Sequence, residues 1–507
     1  MTTLGALLAG LASDRPAITC NGRTVTFAEF DARSSQVAHA LVRDGVAPGD
    51  RVAVLTRNRT EWFELLFGAA RAGAVLVGLN WRLAAPEIAT IADDAAPTLV
   101  LAGSAERALL PDPPERSAER GPRVVDLDTE YEAWIAGLPT DPPDVAVHAD
   151  DVVLQLYSSG TTGLPKGARL THANLAFTPR MGSQAYGMSA ASVNLLASPL
   201  FHIGGTGYGL TTLGQGGHTV LMAEVDPVAI AEAIESHGVT HAFFVPAVVQ
   251  MLLDALRDWT GPGPDLSSLQ VIAYGGAPMT EALLLRAIEG LGCAFLGVYG
   301  MTETAGSVTA LAPEDHDPGG PRAGLLRSVG RALPWHEVAV FDPLTGEPSP
   351  VGEVGEIRVR SGQNTVGYWN RPEETASTLA ADGWLRTGDA AYTDDEGYLF
   401  LHDRIKDMII SGGENIFPAE VENAVACAPG VADVAVIGVP SARWGETVKA
   451  VVVPVPGATP TEDDIIAHAR TRLARYKCPT SVDFVESLPR NAGGKILKKA
   501  LRELFWP

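Results

Sequence analysis

The stretch from Tyr157 to Gly167 constrains this chain more than any other. It reads Tyr-Ser-Ser-Gly-Thr-Thr-Gly-Leu-Pro-Lys-Gly and follows an apolar run, Val152 to Leu156, that has the pattern of a β-strand. Glycine tolerates positive φ and close approach, so such a loop can turn backbone N–H groups inward onto an anion. Lys166 adds a mobile positive charge. We therefore predict a phosphate-binding loop at the end of a strand.

The loop also offers hydroxyl groups, and its order differs from the common nucleotide-binding loop. The common loop reads Gly-x-x-x-x-Gly-Lys-Ser/Thr, whereas Gly167 follows the lysine here. A solvated turn rich in glycine and hydroxyls is the alternative, which the length of the stretch and its lysine disfavour. The residues predicted to contact phosphate are Ser158, Ser159, Gly160, Thr161, Thr162, Gly163 and Lys166.

Composition limits the partners of this chain of 507 residues. Hydrophobic residues make up 46% and charged residues 19%, which is ordinary for a globular enzyme, and the length allows about three domains. The formal net charge of −22 argues against nucleic acid or an anionic membrane as the main partner. The four cysteines, at positions 20, 293, 427 and 478, lie far apart and form no zinc-binding pattern. We expect free thiols in a reducing compartment.

The chain begins with a short apolar run, Leu4 to Leu11, which we predict to form an amphipathic packing helix. The run is too short to span a membrane and lacks the charged start of a signal peptide. No other stretch provides about 18 apolar residues in a row. We therefore expect a soluble, cytoplasmic protein without an integral membrane segment.

Alternating strand and helix patterns up to about residue 300 predict a multidomain α/β fold with layered, mostly parallel sheets. The segment from Asp112 to Asp151 is rich in proline, acid and arginine and is predicted to be an irregular connection. The predicted strands are Arg51–Leu55, Val75–Leu79, Thr98–Ala102, Thr240–Val245, Leu269–Tyr274 and Ala294–Tyr299. The predicted helices are Glu61–Ala72 and Pro86–Asp94.

Later segments have a different character. Short strands separated by glycine from Gly319 to His402 predict an antiparallel, β-barrel-like subdomain, and a compact α+β pattern follows Asp403. Its predicted helices are Pro418–Ala426 and Thr461–Ala474. The predicted strands are Glu337–Phe341, Val354–Arg360, Tyr398–His402, Ala432–Val439, Val448–Val455 and Ser481–Val485. We predict a domain boundary near Arg404 to Lys406.

Several further motifs follow the loop in order. They are Tyr274-Gly275-Gly276-Ala277-Pro278, Tyr299-Gly300-Met301-Thr302-Glu303-Thr304, Trp384-Leu385-Arg386-Thr387-Gly388-Asp389, Asp403-Arg404-Ile405-Lys406-Asp407, Ser411-Gly412-Gly413-Glu414-Asn415 and Asn491-Ala492-Gly493-Gly494-Lys495. Together they resemble the adenylate-forming superfamily of acyl-CoA synthetases, adenylation domains of peptide synthetases and firefly luciferase. The resemblance covers nearly the whole chain and is strongest to fatty-acyl-CoA and aryl-CoA ligases.

The resemblance implies an N-terminal adenylation domain (1–403), a hinge (404–407) and a small mobile C-terminal domain (408–507). It implies that Glu303 and Thr162 hold Mg²⁺ on ATP, that Lys495 serves adenylation, and that Asp389 binds the ribose. Without the resemblance, a Thr-Glu pair would usually mark the start of a helix. An aspartate in a turn would usually accept a hydrogen bond from the nearby backbone. The other residues assigned to ATP or AMP are Gly276, Ala277, Pro278, Tyr299, Gly300, Met301, Thr302 and Arg404.

The resemblance also assigns residues to CoA and to the acid. Ser411, Gly412 and Gly413 would meet the pantetheine arm, Lys477 the CoA phosphates, and Lys406 would be the hinge. A histidine beside an aromatic ring is more often a core residue, but the resemblance gives His202 a role at the thiol tunnel. The catalytic set is then Lys495, Lys166, Glu303 and His202, and the acyl pocket comprises His202, Gly204, Gly205, Phe243, Val245 and Gly275. Pro334-Trp335 replaces a common Pro-Gly and leaves the shape of that turn open.

The implied activity is that of an ATP-dependent acid:CoA ligase that forms an acyl-AMP and then a thioester. The segments 201–207, 243–250 and 275–278 contain no arginine or lysine to pair a second carboxylate, which favours an apolar monocarboxylate. Segment 243–250 also lacks an acidic residue for the ammonium group of an amino acid. Fatty, phenylpropanoid and benzoic acids remain open. Two alternatives are loading of a carrier-protein thiol and a nucleotide-binding relative without catalysis.

Overall fold

The computed structural model describes residues 3–110, 122–158, 165–343, 345–404, 407, 409–411, 414–416, 418–441, 443–490 and 496–505, with only the backbone at 402–404, 410 and 414–415. The chain divides into two compact units. The first consists of Met1–Leu326, Ala332–Glu337 and Val359–Leu385. The second consists of Arg327–Arg331, Val338–Arg358 and Arg386–Pro507.

The first unit is built from two sheets. Its strands are β1 (Pro16–Cys20), β2 (Arg23–Thr26), β3 (Arg51–Leu55), β4 (Val75–Leu79), β5 (Leu99–Ala102), β6 (Arg123–Asp126), β7 (Val152–Ser158), β8 (Lys166–Thr171), β9 (Val193–Leu196), β10 (His218–Leu221), β11 (His241–Phe244), β12 (Val271–Gly275), β13 (Ala294–Met301) and β14 (Gly306–Leu311).

Helices connect these strands. They are α1 (Phe27–Arg43), α2 (Thr60–Ala72), α3 (Ala85–Ala95), α4 (Tyr131–Ile135), α5 (His172–Leu175), α6 (Thr178–Gln184), α7 (Ile203–Leu213), α8 (Pro227–His237), α9 (Pro246–Arg257), α10 (Glu281–Leu291) and α11 (Pro372–Thr378).

Both sheets are mainly parallel, as the alternation of strands and helices predicts. The smaller sheet has the order β6-β5-β3-β4-β7-β8, and only its last pair, β7 and β8, is antiparallel. The larger sheet includes the order β14-β13-β12-β11-β9-β10-β1-β2 and is antiparallel only at its two outer pairs. Ligands of such sheets bind outside the carboxyl ends of the parallel strands.

Helices α1 and α2 form the centre of the first unit's core. Trp62, Phe63 and Phe67 of α2 are fully buried and pack in one cluster with residues from strands of both sheets. At Gly68 the two helices approach so closely that an added Cβ would lie 2.3 Å from Cγ1 of Val37. Residue 68 must therefore be glycine for α1 and α2 to pack in this way.

The second unit contains most of a four-stranded sheet and all of a five-stranded sheet, in which antiparallel strand pairs predominate and one pair is parallel. The strands β16 (Glu337–Phe341), β17 (Gly355–Arg360), β18 (Leu385–Thr393) and β19 (Leu399–Arg404) are neighbours in that order. The other sheet contains β20 (Ile409–Ser411), β21 (Glu414–Ile416), β22 (Val431–Ser441), β23 (Gly445–Pro454) and β24 (Ser481–Phe484). The helices of the second unit are α12 (Pro418–Ala426), α13 (Glu462–Arg470) and α14 (Lys498–Phe505). A separate two-residue strand, β15, covers Arg331–Ala332.

The predicted fold class is confirmed, and β3, β4, β16 and α12 agree with their predicted bounds residue for residue. The prediction of an irregular connection from 112 to 151 was wrong, because it contains β6 and α4. β6 forms through parallel pairing with β5, and α4 buries Tyr131 and Trp134. Such tertiary contacts leave no periodic pattern in so short a segment.

One helix prediction was wrong, and another extended past the observed end of its helix. The run from Leu4 to Leu11 begins with a 3₁₀ turn over Leu4–Ala6, because Gly5 lies against Arg71, whose Nη2 donates to the Gly5 carbonyl over 3.3 Å. Helix α13 ends at Arg470 rather than Ala474. A turn follows it, in which the N–H groups of residues 472 and 473 both donate to the carbonyl of Ala469.

All four cysteines are free thiols, as the sequence predicts. Within the described part of the chain, no helix combines the length and the apolar character that crossing a lipid bilayer requires.

Candidate active site

The predicted phosphate loop connects the two strands of an antiparallel hairpin. In the register of β7 and β8, Ser158 is paired with Lys166 and Tyr157 with Gly167. The loop therefore starts and ends at the same edge of the smaller sheet, beside the carboxyl ends of its parallel strands. Ser159, Gly160, Thr161, Thr162 and Gly163 lie outside the described residues, and their contacts with phosphate stay predictions.

Ser158 connects this loop to the predicted metal-binding carboxylate. Its hydroxyl donates a hydrogen bond of 3.1 Å to Oε1 of Glu303, which is buried with 5% exposure. The hydroxyl of Tyr368 donates to the same oxygen over 2.9 Å. The Tyr368 ring centroid lies 5.5 Å from Nζ of Lys166. Four polar groups predicted or found at the site therefore lie in one cluster.

A tight turn presents Glu303. Thr302–Thr304 is a 3₁₀ turn directly after β13, and the Thr304 hydroxyl donates to the carbonyl of Gly306 over 2.8 Å. A Cβ on Gly300 would lie 2.0 Å from that same carbonyl oxygen. Gly300 is therefore required for the close approach of β13 and β14, and Met301 and Thr302 lie at the start of the turn.

The amino end of the loop is held by a second network. The Tyr157 hydroxyl donates to Oδ2 of Asp94 over 2.7 Å, and Nη2 of Arg371 lies 2.8 Å from the other carboxylate oxygen. Burial, together with Asp94, raises the pKa of Tyr157. Tyr157 therefore remains a neutral hydrogen-bond donor at physiological pH.

The residues predicted to line the adenine site lie at the carboxyl edge of the larger sheet. Gly275 ends β12, and a Cβ there would lie 2.4 Å from the carbonyl oxygen of Val298. Gly276 follows with φ +76°, and a Cβ on it would lie 3.5 Å from Val245. Gly276 and Pro278 are exposed, Ala277 is half-buried, and Tyr299 near the end of β13 is buried.

His202 lies immediately before α7, and its ring centroid is 4.6 Å from that of Phe201. Burial, with a smaller contribution from the positive charge of Arg82, lowers the pKa of His202 to about 4. The imidazole is therefore neutral at physiological pH. Its Nε2 is buried and has no hydrogen-bond partner among the described residues.

The predicted acyl pocket has an aromatic side. The Phe243 ring lies 5.4 Å from that of Tyr208, and a Cβ on Gly204 would lie 3.2 Å from Cε1 of Phe243. Gly205 has a different environment, because a Cβ there would lie 2.2 Å from the carbonyl oxygen of Pro199. Gly204 thus faces the aromatic side chain, whereas Gly205 allows close backbone packing.

In the second unit the two residues predicted at the ribose are neighbours. Asp389 of β18 is paired with Arg404 of β19. The preceding Gly388 has φ +70°, and the N–H of Asp389 donates to the Thr387 hydroxyl over 3.1 Å. Of Arg404 only the backbone is described, so its contact with nucleotide stays a prediction.

The residues predicted to bind CoA also belong to the second unit. Ser411 is paired with Glu414 across β20 and β21, and with Gly445 of β23. Nζ of Lys477 lies 2.8 Å from both carboxylate oxygens of Glu420. Lys477 would have to loosen this ion pair to meet a CoA phosphate.

Four further predicted residues lie outside the described part of the chain. They are Gly412 and Gly413 of the predicted CoA loop, Lys406 of the predicted hinge and Lys495. Their roles stay predictions.

Sequence reasoning missed Tyr368. The signal was Gly367-Tyr368-Trp369, a small residue before two aromatic rings in a polar region. Because Tyr368 is 65 residues beyond Glu303 in the chain, only the fold brings the two together.

Comparisons with known proteins agree with this geometry. The AMP-binding enzyme family matches residues 9–369, and the AMP-binding enzyme C-terminal domain matches residues 420–495. A fatty acid–[acyl-carrier-protein] ligase, ScoC of Streptomyces coeruleorubidus, is 40% identical over 97% of this chain and 93% of its own length. A feruloyl-CoA synthase from an Amycolatopsis species is 42% identical over 96% of both chains.

A solved structure shows the same similarity. ATP-bound MatB from Rhodopseudomonas palustris superposes with a TM-score of 0.89 at 33% identity, covering 99% of both chains. The loop, the Glu303 turn and the strand order therefore occur in a chain whose whole length matches adenylating enzymes. This chain belongs to the family of AMP-binding enzymes, within the adenylate-forming superfamily.

Proposed function

We propose that this protein is an ATP-dependent acid:CoA ligase. One observation carries the proposal: Ser158 at the start of the loop and Tyr368 both donate to Glu303, with Lys166 beside them. An anion-binding loop, a lysine and a buried carboxylate are the groups that a metal-bound triphosphate requires. The feruloyl-CoA synthase and the fatty acid ligase among the relatives support activation of a carboxylic acid.

In the first half-reaction a carboxylate oxygen of the acid attacks the α-phosphorus of ATP, and the bond to pyrophosphate breaks. Both reactants are anions, and two unit charges about 4 Å apart interact by about 4 kcal/mol at an effective dielectric constant near 20. Lys166 and the N–H groups of the loop offset this repulsion. Lys495 is proposed to orient the acid and to stabilise the charge that develops in the transition state.

Glu303 is suited to hold Mg²⁺. Both hydroxyl donors use Oε1, and neither uses Oε2. Mg²⁺ prefers one or two carboxylates together with substrate phosphates, so one carboxylate oxygen at this position is sufficient. Thr162 is proposed as a second protein ligand. When bound, Mg²⁺ supplies positive charge to the departing pyrophosphate.

In the second half-reaction the sulfur of CoA attacks the acyl carbon of the acyl-AMP, the thiol proton is released to solvent, and AMP departs. We propose that the small domain (408–507) turns about residues 404–407 between the half-reactions. Ser411, Gly412 and Gly413 would then meet pantetheine. The separate match of the C-terminal domain to residues 420–495 supports an independent module.

The acid is proposed to be an apolar monocarboxylate. Phe243, Tyr208 and Gly204 form an aromatic and small-residue surface, and no arginine or lysine occurs in segments 201–207, 243–250 and 275–278. Arg82 lies outside these segments, but its positive charge acts on His202 and lowers the pKa of that ring. A panel that compares monocarboxylic acids with diacids of equal length tests this proposal.

A second candidate acceptor is the phosphopantetheine thiol of a carrier protein. The observation that favours it is the 40% identity to a ligase that loads an acyl-carrier protein. CoA and such a carrier present the same thiol arm, so the loop at 411–413 does not separate them. Parallel assays with CoA and with a phosphopantetheinylated carrier protein do.

The deciding experiment measures the two half-reactions separately. Acid-dependent exchange of pyrophosphate into ATP reports adenylation, and CoA-dependent release of AMP reports thioester formation. We expect both with an apolar monocarboxylate and Mg²⁺. Exchange without a CoA-dependent increase in AMP release would favour the carrier-protein acceptor, and absence of exchange with every acid would favour a relative without catalysis.

A further inference from the structure

Tyr368 connects the negative and the positive group of the nucleotide site. Its hydroxyl donates to Oε1 of Glu303 over 2.9 Å, and its ring centroid lies 5.5 Å from Nζ of Lys166. A lysine ammonium within about 6 Å of an aromatic centroid is attracted to the ring. Tyr368 therefore holds both groups near each other without a direct ion pair between them.

The position of Tyr368 is itself fixed by β8. The N–H of Arg169 donates to the carbonyl of Gly367 over 3.0 Å, and the N–H of Trp369 donates to the carbonyl of Gly167 over 2.8 Å. The indole Nε1 of Trp369 also donates to the carbonyl of Asp94 over 2.9 Å. The backbone of residues 367–369 is thus hydrogen-bonded to β8, the strand that begins at Lys166.

The two hydroxyls on Glu303 also determine how its carboxylate is turned. Ser158 and Tyr368 donate to the same oxygen, Oε1, and both hydrogen bonds hold the plane of the carboxylate in this orientation. That orientation leaves Oε2 unused by either donor. Oε2 would be the oxygen through which Glu303 could hold a metal ion on the triphosphate.

We propose that Tyr368 is a positioning residue for adenylation, which turns the carboxylate of Glu303 towards the metal–nucleotide complex and keeps Lys166 beside it. The inference rests on the proposed function, because it concerns the same nucleotide site. Its hydroxyl and its ring have separable tasks. The hydroxyl serves the metal-dependent part of ATP binding, and the ring serves the part that depends on the lysine.

The test is calorimetric titration of ATP into the purified protein, once with Mg²⁺ and once with EDTA. Tyr368→Phe keeps the ring and removes the donor. We expect the gain in ATP affinity that Mg²⁺ confers to fall by about tenfold, the lower end of the effect of one hydrogen bond to a charged group. ATP affinity in EDTA should stay within about twofold of wild type.

A second variant tests the ring. Tyr368→Leu removes hydroxyl and ring together, so ATP affinity in EDTA should also fall, by about threefold. The matched control is Tyr131→Phe on α4, whose buried hydroxyl donates to Oε2 of Glu64 over 2.7 Å. This control should lower the free energy of unfolding and leave the Mg²⁺-dependent gain unchanged.

The outcomes separate the inference from the proposed function. If wild type gains affinity with Mg²⁺ and Tyr368→Phe gains equally, the inference is wrong and the proposed function stands. An equal loss in EDTA and in Mg²⁺ would also overturn it, because the hydroxyl would then not act through the metal. Wild-type protein without Mg²⁺-dependent ATP binding would overturn both.

Discussion

The indole Nε1 of Trp335 donates a hydrogen bond of 3.0 Å to Oε1 of Gln363. Gln363 is fully buried, and its Nε2 donates to the carbonyl of Thr304 over 3.1 Å. The N–H of Thr365 donates to the carbonyl of Glu303 over 2.7 Å. The segment after β17 thus supports the turn that carries Glu303, and Trp335 supports that segment.

Replacing this indole tests the support. Trp335→Phe leaves Oε1 of the buried Gln363 without its donor, so the free energy of unfolding should fall by about 1–3 kcal/mol. Urea unfolding measures it. Trp259→Phe is the matched control, since that indole donates to the carbonyl of Pro262 in an exposed segment. An equal decrease in the free energy of unfolding in both variants would show that the buried hydrogen bond between Trp335 and Gln363 stabilises the protein no more than the exposed one.

The sequence predicted the elements of the site that depend on local composition. The loop composition predicts that Ser158 and Lys166 lie at the end of a strand. In the structure they face each other across β7 and β8, because the loop connects the two strands of a hairpin. Sequence could not predict that Tyr368 meets Glu303, since the contact requires residues 367–369 to lie along β8. The sequence shows Trp335 only as a departure from a common Pro-Gly, because its partner Gln363 is 28 positions away.

Lys495 should affect the two half-reactions differently. If it orients the acid only for adenylation, Lys495→Ala should slow acyl-AMP formation by about 10²-fold or more, the effect of losing one preorganised donor. Thioester formation from supplied acyl-AMP should persist. Lys499→Ala is the control, because that lysine is exposed and lies 4.0 Å from Glu503 on the same helix. Equal loss of both half-reactions in Lys495→Ala would contradict the assignment.

Gly204 should limit the size of the acid. Its added Cβ would lie 3.2 Å from Cε1 of Phe243, and a valine would place two more methyl groups against that ring. Gly204→Val should raise KM for long-chain or aromatic acids by about tenfold, since a few buried methyl groups are worth about 1–3 kcal/mol in discrimination. KM for ATP and for propionate should change by less than about twofold. Gly10→Val is the control, because a Cβ there meets nothing within 4 Å. A uniform increase of KM for all acids would contradict a size-limiting role.

His202 should make the protein less stable as pH falls. Its pKa is about 4 when folded and near 6.5 when unfolded, mainly because burial disfavours the charged imidazolium. At pH 7 the ring is mostly neutral in both states. Between pH 6.5 and 4 the unfolded chain binds a proton that the folded chain does not, so protonation favours unfolding.

His202→Gln removes the group that binds this proton. As pH is lowered from 6.5 to 4, the free energy of unfolding of the variant should therefore fall less steeply than that of wild type. Urea unfolding of both proteins at pH 7, 6, 5 and 4.5 measures the difference, which should develop below about pH 6.5. His148→Gln is the control, because His148 is exposed and its side chain makes no hydrogen bond within the described part of the chain. If the free energy of unfolding of wild type and of His202→Gln depended on pH in the same way, the ring would take up its proton in the folded protein as readily as in the unfolded chain. The inference that folded His202 stays neutral in this pH range would then be wrong.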